Sequence, residues 1–192
     1  MSRFSGRIAL ITGAGAGIGL AMARQLAAEG AHVIVNDVAA PAAEKAVADL
    51  RNRGLDASEG VADVTEPTGT ATLLAGIKDR HGRLDILINN AGLNVRSDFR
   101  HMTEDDWTKI RDTNLDSAVR LCRDALPLLQ DGTNAAILNV ASIMAVRHLR
   151  QLAAYSVTKA AIAGLSRAIA VEYAAFGIRV NALAPGFIET AL

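Results

Sequence analysis

The alternation of short apolar runs with longer helical patterns constrains this chain more than any other feature. Five runs are apolar or β-branched: "RIALIT" (7–12), "HVIVND" (32–37), "LDILINN" (84–90), "AAILNVAS" (135–142) and "IRVNALAP" (178–185). A weaker candidate strand, 56–64, lies between helical stretches at 41–53 and 66–81. Because the runs are nearly continuous in apolar residues, both faces of their sheet should be covered. The sequence therefore predicts an α/β fold with a doubly wound parallel sheet between two helix layers.

Length and composition limit the class of protein. A chain of 192 residues without a Pro- or Ser-rich linker suits a single domain, 1–192. Twenty basic and twenty acidic residues balance, which gives no basic face for nucleic acid. No apolar run is long enough to cross a membrane or to serve as a signal peptide. A single cysteine, Cys122, cannot form an internal disulfide, so we expect a cytoplasmic protein with a buried thiol.

A glycine stands at every second position in "GAGAGIG" (13–19), directly after the first apolar run. The common dinucleotide fingerprint, with glycines at i, i+2 and i+5, fails at every register, and no phosphate-loop lysine follows. The spacing Gly-x-x-x-Gly-x-Gly fits instead: Gly13 at a sharp turn, Gly17 where a pyrophosphate approaches, and Gly19 where a helix packs on the sheet. Gly15 has no assigned role in this pattern. The alternative is a flexible glycine-rich turn without a ligand.

Asp37 ends the second apolar run, eighteen residues after Gly19. A carboxylate at this place can accept hydrogen bonds from both hydroxyls of an adenosine ribose and would repel a 2′-phosphate. The positions where a basic residue would favour NADP hold Ala16 and Val38. The sequence therefore predicts NAD rather than NADP, with an ordinary surface carboxylate as the alternative for Asp37.

A second group of polar residues lies downstream. In "YSVTK", Tyr155 and Lys159 are four residues apart in a long amphipathic helical pattern, which places both side chains on one face. An ammonium group near a phenol favours the ionised phenol, which can then act as a general acid and base. Ser142 ends a strand run thirteen residues before Tyr155, at the sheet edge where open α/β folds collect ligands. A chance Tyr–Lys pair on a solvated helix is the alternative.

The chain resembles the short-chain dehydrogenases and reductases of the common short type, which have a Rossmann-like fold. The resemblance covers the whole chain and rests on an ordered set of motifs: "TGAGAGIG" (12–19), "ADV" (62–64), "NNAG" (89–92), "DTNLDS" (112–117), Ser142, "YSVTK" (155–159) and "RVNALAPGFIET" (179–190). It implies a catalytic set of Asn114, Ser142, Tyr155 and Lys159. It also implies a cofactor site made of Gly13, Gly17, Ile18, Gly19, Asp37, Asp63, Val64, Asn90, Tyr155, Lys159, Pro185, Gly186, Ile188 and Thr190.

These implied roles predict an oxidoreductase that transfers a hydride between NAD(H) and a secondary alcohol or carbonyl compound. Tyr155 would be the general acid and base, Ser142 would bind the substrate oxygen, and Lys159 would bind the nicotinamide ribose. Asn114 would hold a water molecule that links Lys159 to solvent. Two alternatives stay open: an NADPH-dependent carbonyl or oxoacyl reductase, and a cofactor-binding relative without catalysis.

Further expectations concern assembly and the chain's end. Two helical stretches, 103–130 and 152–176, carry apolar residues beyond one stripe, and the resemblance implies that they pair in a homodimer or homotetramer, with Cys122 near the contact. The resemblance also leads us to expect a further strand and a substrate-covering segment after Leu192, so that the last strand and lid region are missing.

The remaining polar residues give weaker signals. The histidines have no ligand spacing with one another or with Cys122, so we predict no metal site. The segment 144–154 should line the mouth of the active site, where Arg147, His148 and Arg150 could attract a carboxylate or phosphate of the substrate. A solvated loop is the alternative.

Overall fold

A computed structural model describes residues 2–189. Strands alternate with helices along most of this range, as predicted. The strands are β1 (Ile8–Ile11), β2 (His32–Val35), β3 (Ala57–Glu59), β4 (Ile86–Asn89), β5 (Ala136–Val140) and β6 (Arg179–Leu183). The helices are α1 (Gly17–Ala28), α2 (Ala40–Asn52), α3 (Pro67–His81), α4 (Glu104–Arg111), α5 (Ser117–Asp124), α6 (Leu126–Gln130) and α7 (Ala153–Tyr173).

The six strands form one parallel sheet in the order β3-β2-β1-β4-β5-β6. The chain builds outward from β1 through β2 to β3, then crosses to the other side of β1 to begin β4. The order of connection therefore reverses between β1 and β4, and open α/β sheets bind ligands beside such a reversal, at the carboxyl ends of the strands. The predicted doubly wound parallel sheet is confirmed.

Both faces of the sheet are buried, which explains the nearly continuous apolar runs. In β1, Leu10 packs in a cluster with residues of α3, α5 and α7, whereas Ala9 and Ile11 face the opposite cluster beneath α1 and α2. Successive side chains of a strand point to opposite faces, so a strand covered on both sides needs apolar residues throughout. Within residues 2–189, no helix has both the length and the apolar character needed to cross a bilayer.

The helical stretch at 103–130 differs from the regular pattern predicted for it. A π-helical turn, Asp112–Asp116, separates α4 from α5, and α6 follows with Pro127 in its first turn. The weakest predicted strand, 56–64, is reduced to the three residues of β3 at the edge of the sheet. Cys122 is 2% exposed and packs in the core against Asn89. The expected buried thiol is confirmed, and a position of Cys122 near a contact between copies stays a prediction.

Candidate active site

The turn between β1 and α1 depends on its glycines. Gly13 has φ +59° and Gly17 has φ +54°, both in the left-handed region that glycine adopts without strain. A Cβ on Gly13 would lie 2.9 Å from the Cα of Ala91, and one on Gly19 would lie 2.6 Å from the Nδ2 of Asn90. The turn is therefore packed tightly against the segment that follows β4.

Gly15 has a role that the sequence pattern left out. Its backbone N–H donates a hydrogen bond to Oδ2 of Asp37 at 3.1 Å. A Cβ at this position would lie 2.7 Å from the same oxygen and 2.8 Å from the Cβ of Ala42. Gly15 therefore holds the Asp37 carboxylate against the glycine turn. The alternating glycines were the available signal, but nothing in their spacing names Asp37 as the partner.

Asp37 lies just beyond the carboxyl end of β2, beside the first turn of α1. Its Oδ1 accepts a hydrogen bond from the N–H of Ala39 at 3.0 Å, so backbone donors orient both carboxylate oxygens. Helix α1 begins at Gly17 with no side-chain cap at Ala16 and no acidic residue in its first turn. Helix N-termini of this kind offer N–H groups and a positive dipole end to a phosphate. The carboxylate and the helix end together match the ribose and the pyrophosphate of a dinucleotide.

Asn90 fastens β4 to the glycine turn. Its Nδ2 donates to the carbonyl oxygens of Thr12 at 2.9 Å and Gly13 at 3.0 Å. The Thr12 hydroxyl in turn accepts from the N–H groups of Asn90 at 3.0 Å and Ala91 at 2.9 Å. The side chain of Asn90, which was predicted to lie beside the cofactor, is thus hydrogen-bonded to the glycine turn and stabilises it. Thr12 is a second residue of this site to which sequence reasoning gave no task.

The pair expected to flank an adenine has its side chains engaged elsewhere. Asp63 accepts hydrogen bonds from the N–H of Thr65 at 2.8 Å and from its hydroxyl at 2.7 Å. Val64 is 6% exposed and packs in the core with Leu73. Because the Val64 side chain points into the core, a contact between this residue and an adenine would fall to its backbone.

The Tyr155–Lys159 pair faces the end of β5. Lys159 donates a hydrogen bond from Nζ to the carbonyl oxygen of Val140 at 2.7 Å, and its Nζ lies 5.7 Å from the centre of the Tyr155 ring. Burial lowers the pKa of Lys159 to about 8, because the charged form loses hydration. Ser142 follows two residues after Val140, and its Oγ accepts from the N–H of Met144 at 3.1 Å. The three predicted residues are therefore brought to one strand end.

Asn114 lies buried in the π-helical turn behind this group. Its Oδ1 accepts from the N–H of Leu93 at 2.8 Å, and its Nδ2 donates to the Leu93 carbonyl at 2.9 Å and to the hydroxyl of Thr158 at 3.3 Å. A Cβ on Gly92 would lie 3.3 Å from Asn114 Oδ1 and 3.4 Å from Lys159 Nζ. Asn114 thus fixes the loop after β4 beside Lys159 with its side chain. Rare π-helical turns are frequent at functional sites.

A cavity opens between the start of α1 and the segment after β6. Its volume is about 470 Å³, and its lining includes Gly17, Ile18, Pro185 and Ile188. The Pro185 carbonyl accepts from the N–H of Ile143 at 2.8 Å, which ties this segment to the turn after Ser142. Gly186 is exposed beside it. Thr190, predicted to touch the nicotinamide half, lies outside the described residues.

The residues present fit a nicotinamide dinucleotide. The uncapped start of α1 suits the pyrophosphate and Asp37 suits the adenosine ribose. The cavity lined by Pro185 and Ile188 adjoins the same start of α1 at Gly17. Between residues 2 and 189, no group of three or more His, Cys, Asp or Glu side chains is arranged to hold a metal ion.

Known proteins share this arrangement. Residues 7–192 match the family model described as short chain dehydrogenase. The chain is 39% identical over 193 residues to oxidoreductase UcpA of Escherichia coli (strain K12), an alignment that covers 99% of this chain and 72% of the relative. It is 36% identical over 187 residues to the 3-oxoacyl-(acyl-carrier-protein) reductase FabG of Escherichia coli (strain K12), with 97% and 75% covered.

A solved structure is also similar to this chain. The crystal structure of L-sorbose reductase from Gluconobacter frateurii, complexed with NADPH and L-sorbose, matches with a TM-score of 0.95 and 34% identity. The match covers 100% of this chain and 73% of that chain. The family model spans nearly the whole sequence, and the fold and the motif order agree with it. This chain belongs to the short chain dehydrogenase family.

Proposed function

We propose that this chain is an NAD(H)-dependent oxidoreductase that transfers a hydride between the cofactor and a secondary alcohol or carbonyl compound. The placement of Lys159 carries the proposal: the residue is 4% exposed, and its Nζ lies 2.7 Å from the Val140 carbonyl oxygen and 5.7 Å from the centre of the Tyr155 ring. Burying a cation costs free energy, and a cation held in this way beside an acid–base side chain supports a catalytic task.

The proton chemistry follows from the three side chains. In the oxidation direction, Tyr155 removes the proton from the substrate hydroxyl, and in reduction it returns that proton to the carbonyl oxygen. Lys159 brings its Nζ to 5.7 Å from the centre of the Tyr155 ring, and its remaining N–H donors can bind ribose hydroxyls. Ser142 uses its Oγ to accept from Met144 N–H, so its own O–H proton is free to bind the substrate oxygen. When bound, the nicotinamide supplies or accepts the hydride.

Asp37 supports NAD as the cofactor. The carboxylate is held by the N–H groups of Gly15 and Ala39, so it cannot readily turn away from an incoming ribose. A 2′-phosphate in the same place would meet a negative charge. Val38, which follows, is exposed and supplies no positive charge. The second candidate is an NADPH-linked reductase, because the similar L-sorbose reductase was solved with NADPH.

Cofactor selection separates these two candidates. Asp37→Ala should weaken NAD binding by roughly 1–3 kcal/mol, because a charged acceptor of ribose hydrogen bonds is lost. It should also raise the relative use of NADP, because the repulsive charge is gone. Equilibrium binding of both cofactors to wild type and variant measures the change. A wild-type preference for NADP would overturn the assignment.

The catalytic roles are tested by removing one hydroxyl at a time. Tyr155→Phe should lower turnover at least 10²–10⁴-fold, roughly the effect of losing acid–base catalysis, while NAD binding changes little. Ser142→Ala should act similarly, with the exposed Ser5→Ala as a matched control. Because Tyr155 and Ser142 would act as a unit, their losses should not add in a double-mutant cycle. A chain that binds NAD and turns over no alcohol or carbonyl would instead be the non-catalytic relative.

The proposed enzyme is a homodimer or homotetramer. The outer face of α7 carries exposed valines, Val157 at 54% and Val171 at 79%, beside the small residues Ala160, Ala161 and Gly164. Small side chains allow two helices to approach closely, and an exposed apolar face favours pairing. Val171→Glu should dissociate the assembly in sedimentation experiments. A monomer of the wild-type chain at micromolar concentration would contradict the proposal.

A further inference from the structure

Two loops meet at the entrance to the group formed by Ser142, Tyr155 and Lys159. We call them the mouth loops: residues 93–98, which follow β4, and residues 143–152, which connect Ser142 to α7. The N–H of Ser97 donates to the carbonyl oxygen of Gln151 at 3.2 Å, which joins the loops. Their inner ends are anchored at the site, since Leu93 is held by Asn114 and the N–H of Ile143 donates to the Pro185 carbonyl. Both loops therefore lie beside the site, at the carboxyl end of the sheet, and Arg150 also lines a cavity against Ser156 and Val157 of α7.

The mouth loops carry an excess of positive charge. Arg96, Arg147 and Arg150 are all exposed, and the same segments contain one acidic residue, Asp98. Asp98 is paired with Arg100, whose Nε lies 3.0 Å from Oδ1. The whole chain balances twenty basic against twenty acidic residues, so this local excess does not reflect a generally basic protein. A nearby opposing charge is Glu189, which lines the cavity beside Gly17.

The three arginines also differ from most others in how their side chains are used. Most arginines elsewhere bind carboxylates or backbone carbonyls, as Arg24 does with Asp49 and Arg120 with the carbonyl of Val64. Within the part of the chain that the structure describes, Arg96, Arg147 and Arg150 form no side-chain hydrogen bond or ion pair. Arginine presents a planar fork of donors that matches carboxylate and phosphate oxygens. Unpaired arginines at an entrance are available to an anionic ligand.

The backbone of the second mouth loop is constrained at two points. The N–H of Arg147 donates to the carbonyl of Ile143 at 2.9 Å, which closes a turn directly after Ser142. Gln151 has φ +65°, a left-handed conformation that costs a non-glycine residue free energy. Such strain persists where the surrounding structure imposes it, often beside ligand sites. The loop is therefore shaped at both ends of the segment that carries Arg147 and Arg150.

From these observations we infer that the substrate is an anion: a secondary alcohol or carbonyl compound that carries a carboxylate or phosphate, which the mouth-loop arginines bind. The inference rests on the proposed function, because it concerns the substrate of that same site. The reacting carbon lies toward Ser142 and Tyr155, and the charged group of the substrate lies outward, toward Arg96, Arg147 and Arg150.

Equilibrium binding provides a test that does not depend on turnover. Calorimetry with the NAD-saturated protein compares D-gluconate with neutral D-glucitol, and glycerol 3-phosphate with neutral glycerol. At least one anion should bind tighter than its neutral analogue, roughly tenfold or more for a single arginine contact to a charged group. Preference for gluconate identifies the carboxylate, and preference for glycerol 3-phosphate identifies the phosphate. Equal binding within both pairs would overturn the inference.

Charge-removing variants assign the preference to the mouth loops. R96Q, R147Q and R150Q are changes at exposed positions, and at least one should reduce the preference for the anion roughly ten- to a hundredfold. R80Q, an exposed position on α3, should leave the preference unchanged. The anion preference should also decrease as the salt concentration increases, because solvent-exposed charges are screened. A preference that survives all three mouth-loop variants would overturn the inference.

Turnover separates this inference from the proposed function. If anions bind with the expected arginine dependence but no NAD(H)- or NADP(H)-linked reaction occurs with them or with neutral alcohols and ketones, the proposed function fails and the anion site stands. If turnover occurs equally with charged and neutral compounds, the proposed function stands and the inference fails.

Discussion

The Nζ atom of Lys159 lies 2.7 Å from the carbonyl oxygen of Val140, which holds a buried ammonium group at the end of β5. Two residues further along the chain stands Ser142, and the Tyr155 ring lies on the other side of the ammonium group. One hydrogen bond thus connects α7, which carries the acid–base pair, to the strand that carries the substrate-binding hydroxyl. Burying this ammonium group costs free energy, because the charged form loses its hydration.

Lys159→Met should lower turnover. It should also remove a pH-dependent contribution to the free energy of unfolding. Burial lowers the pKa of Lys159 from its ordinary value of 10.5 to about 8. Between these values the unfolded chain binds more protons than the folded chain, so this group makes stability rise with pH. The rise is about 3 kcal/mol by the conversion of 1.36 kcal/mol per pKa unit. Denaturant unfolding of wild type and variant from pH 7 to pH 10 isolates it. If the difference in free energy of unfolding between wild type and Lys159→Met stayed constant across that range, the prediction would be contradicted.

Gly15→Ala should disturb cofactor binding without touching the cofactor. A Cβ would meet Asp37 Oδ2 at 2.7 Å and the Cβ of Ala42 at 2.8 Å, so the carboxylate has to move. We expect a loss of NAD affinity of roughly 1–3 kcal/mol, comparable to that of Asp37→Ala. Gly76→Ala on α3 is the control, since its Cβ would meet only the flexible end of Arg80, at 3.2 Å from Nη2. Equal NAD affinity in Gly15→Ala and wild type would show that Asp37 is not held by this contact.

Asn114→Ala should lower both stability and turnover. The substitution removes both hydrogen bonds to the Leu93 backbone and the bond to Thr158. Leaving buried polar groups unpaired costs roughly 1–3 kcal/mol, and the loop beside Lys159 loses its anchor. Thermal unfolding and steady-state kinetics measure the two effects, with the exposed Asn52→Ala at the end of α2 as a control. Wild-type turnover in Asn114→Ala would remove this residue from the site.

His81 should make the protein less stable in mild acid. His81 lies at the end of α3, and its ring centre is 4.7 Å from that of His32. Burial is the largest cause of the lowered pKa of His81, and the electrostatic effect of His32 is the second largest. The unfolded chain then binds a proton more readily than the folded chain, so this contribution to stability is lost as the pH falls below the unfolded pKa, about 6.5. His81→Gln should reduce the loss between pH 7.5 and 5 (about the range of histidine titration), whereas the exposed His101→Gln should not.

The sequence by itself determined the sheet and the order of the motifs. In a continuous apolar run such as that of β1, the side chains on both faces of the strand must be buried. The doubly wound sheet could therefore be predicted from the apolar composition and the spacing of these runs. The positions of Asp37 and Ser142 at strand ends could also be predicted, because the carboxyl ends of parallel strands lie at one edge of the sheet, where ligands bind. Four-residue spacing on a helix was sufficient to place Tyr155 and Lys159 together.

Contacts between distant segments were decided only by the tertiary structure. Spacing assigns Gly15 no task, since its partner Asp37 is twenty-two residues away. The same applies to Asn90, whose side chain binds Thr12 and Gly13 across the sheet. Periodicity reports which residues share a face, whereas the partner that a polar group meets depends on where the folded chain brings its donors and acceptors.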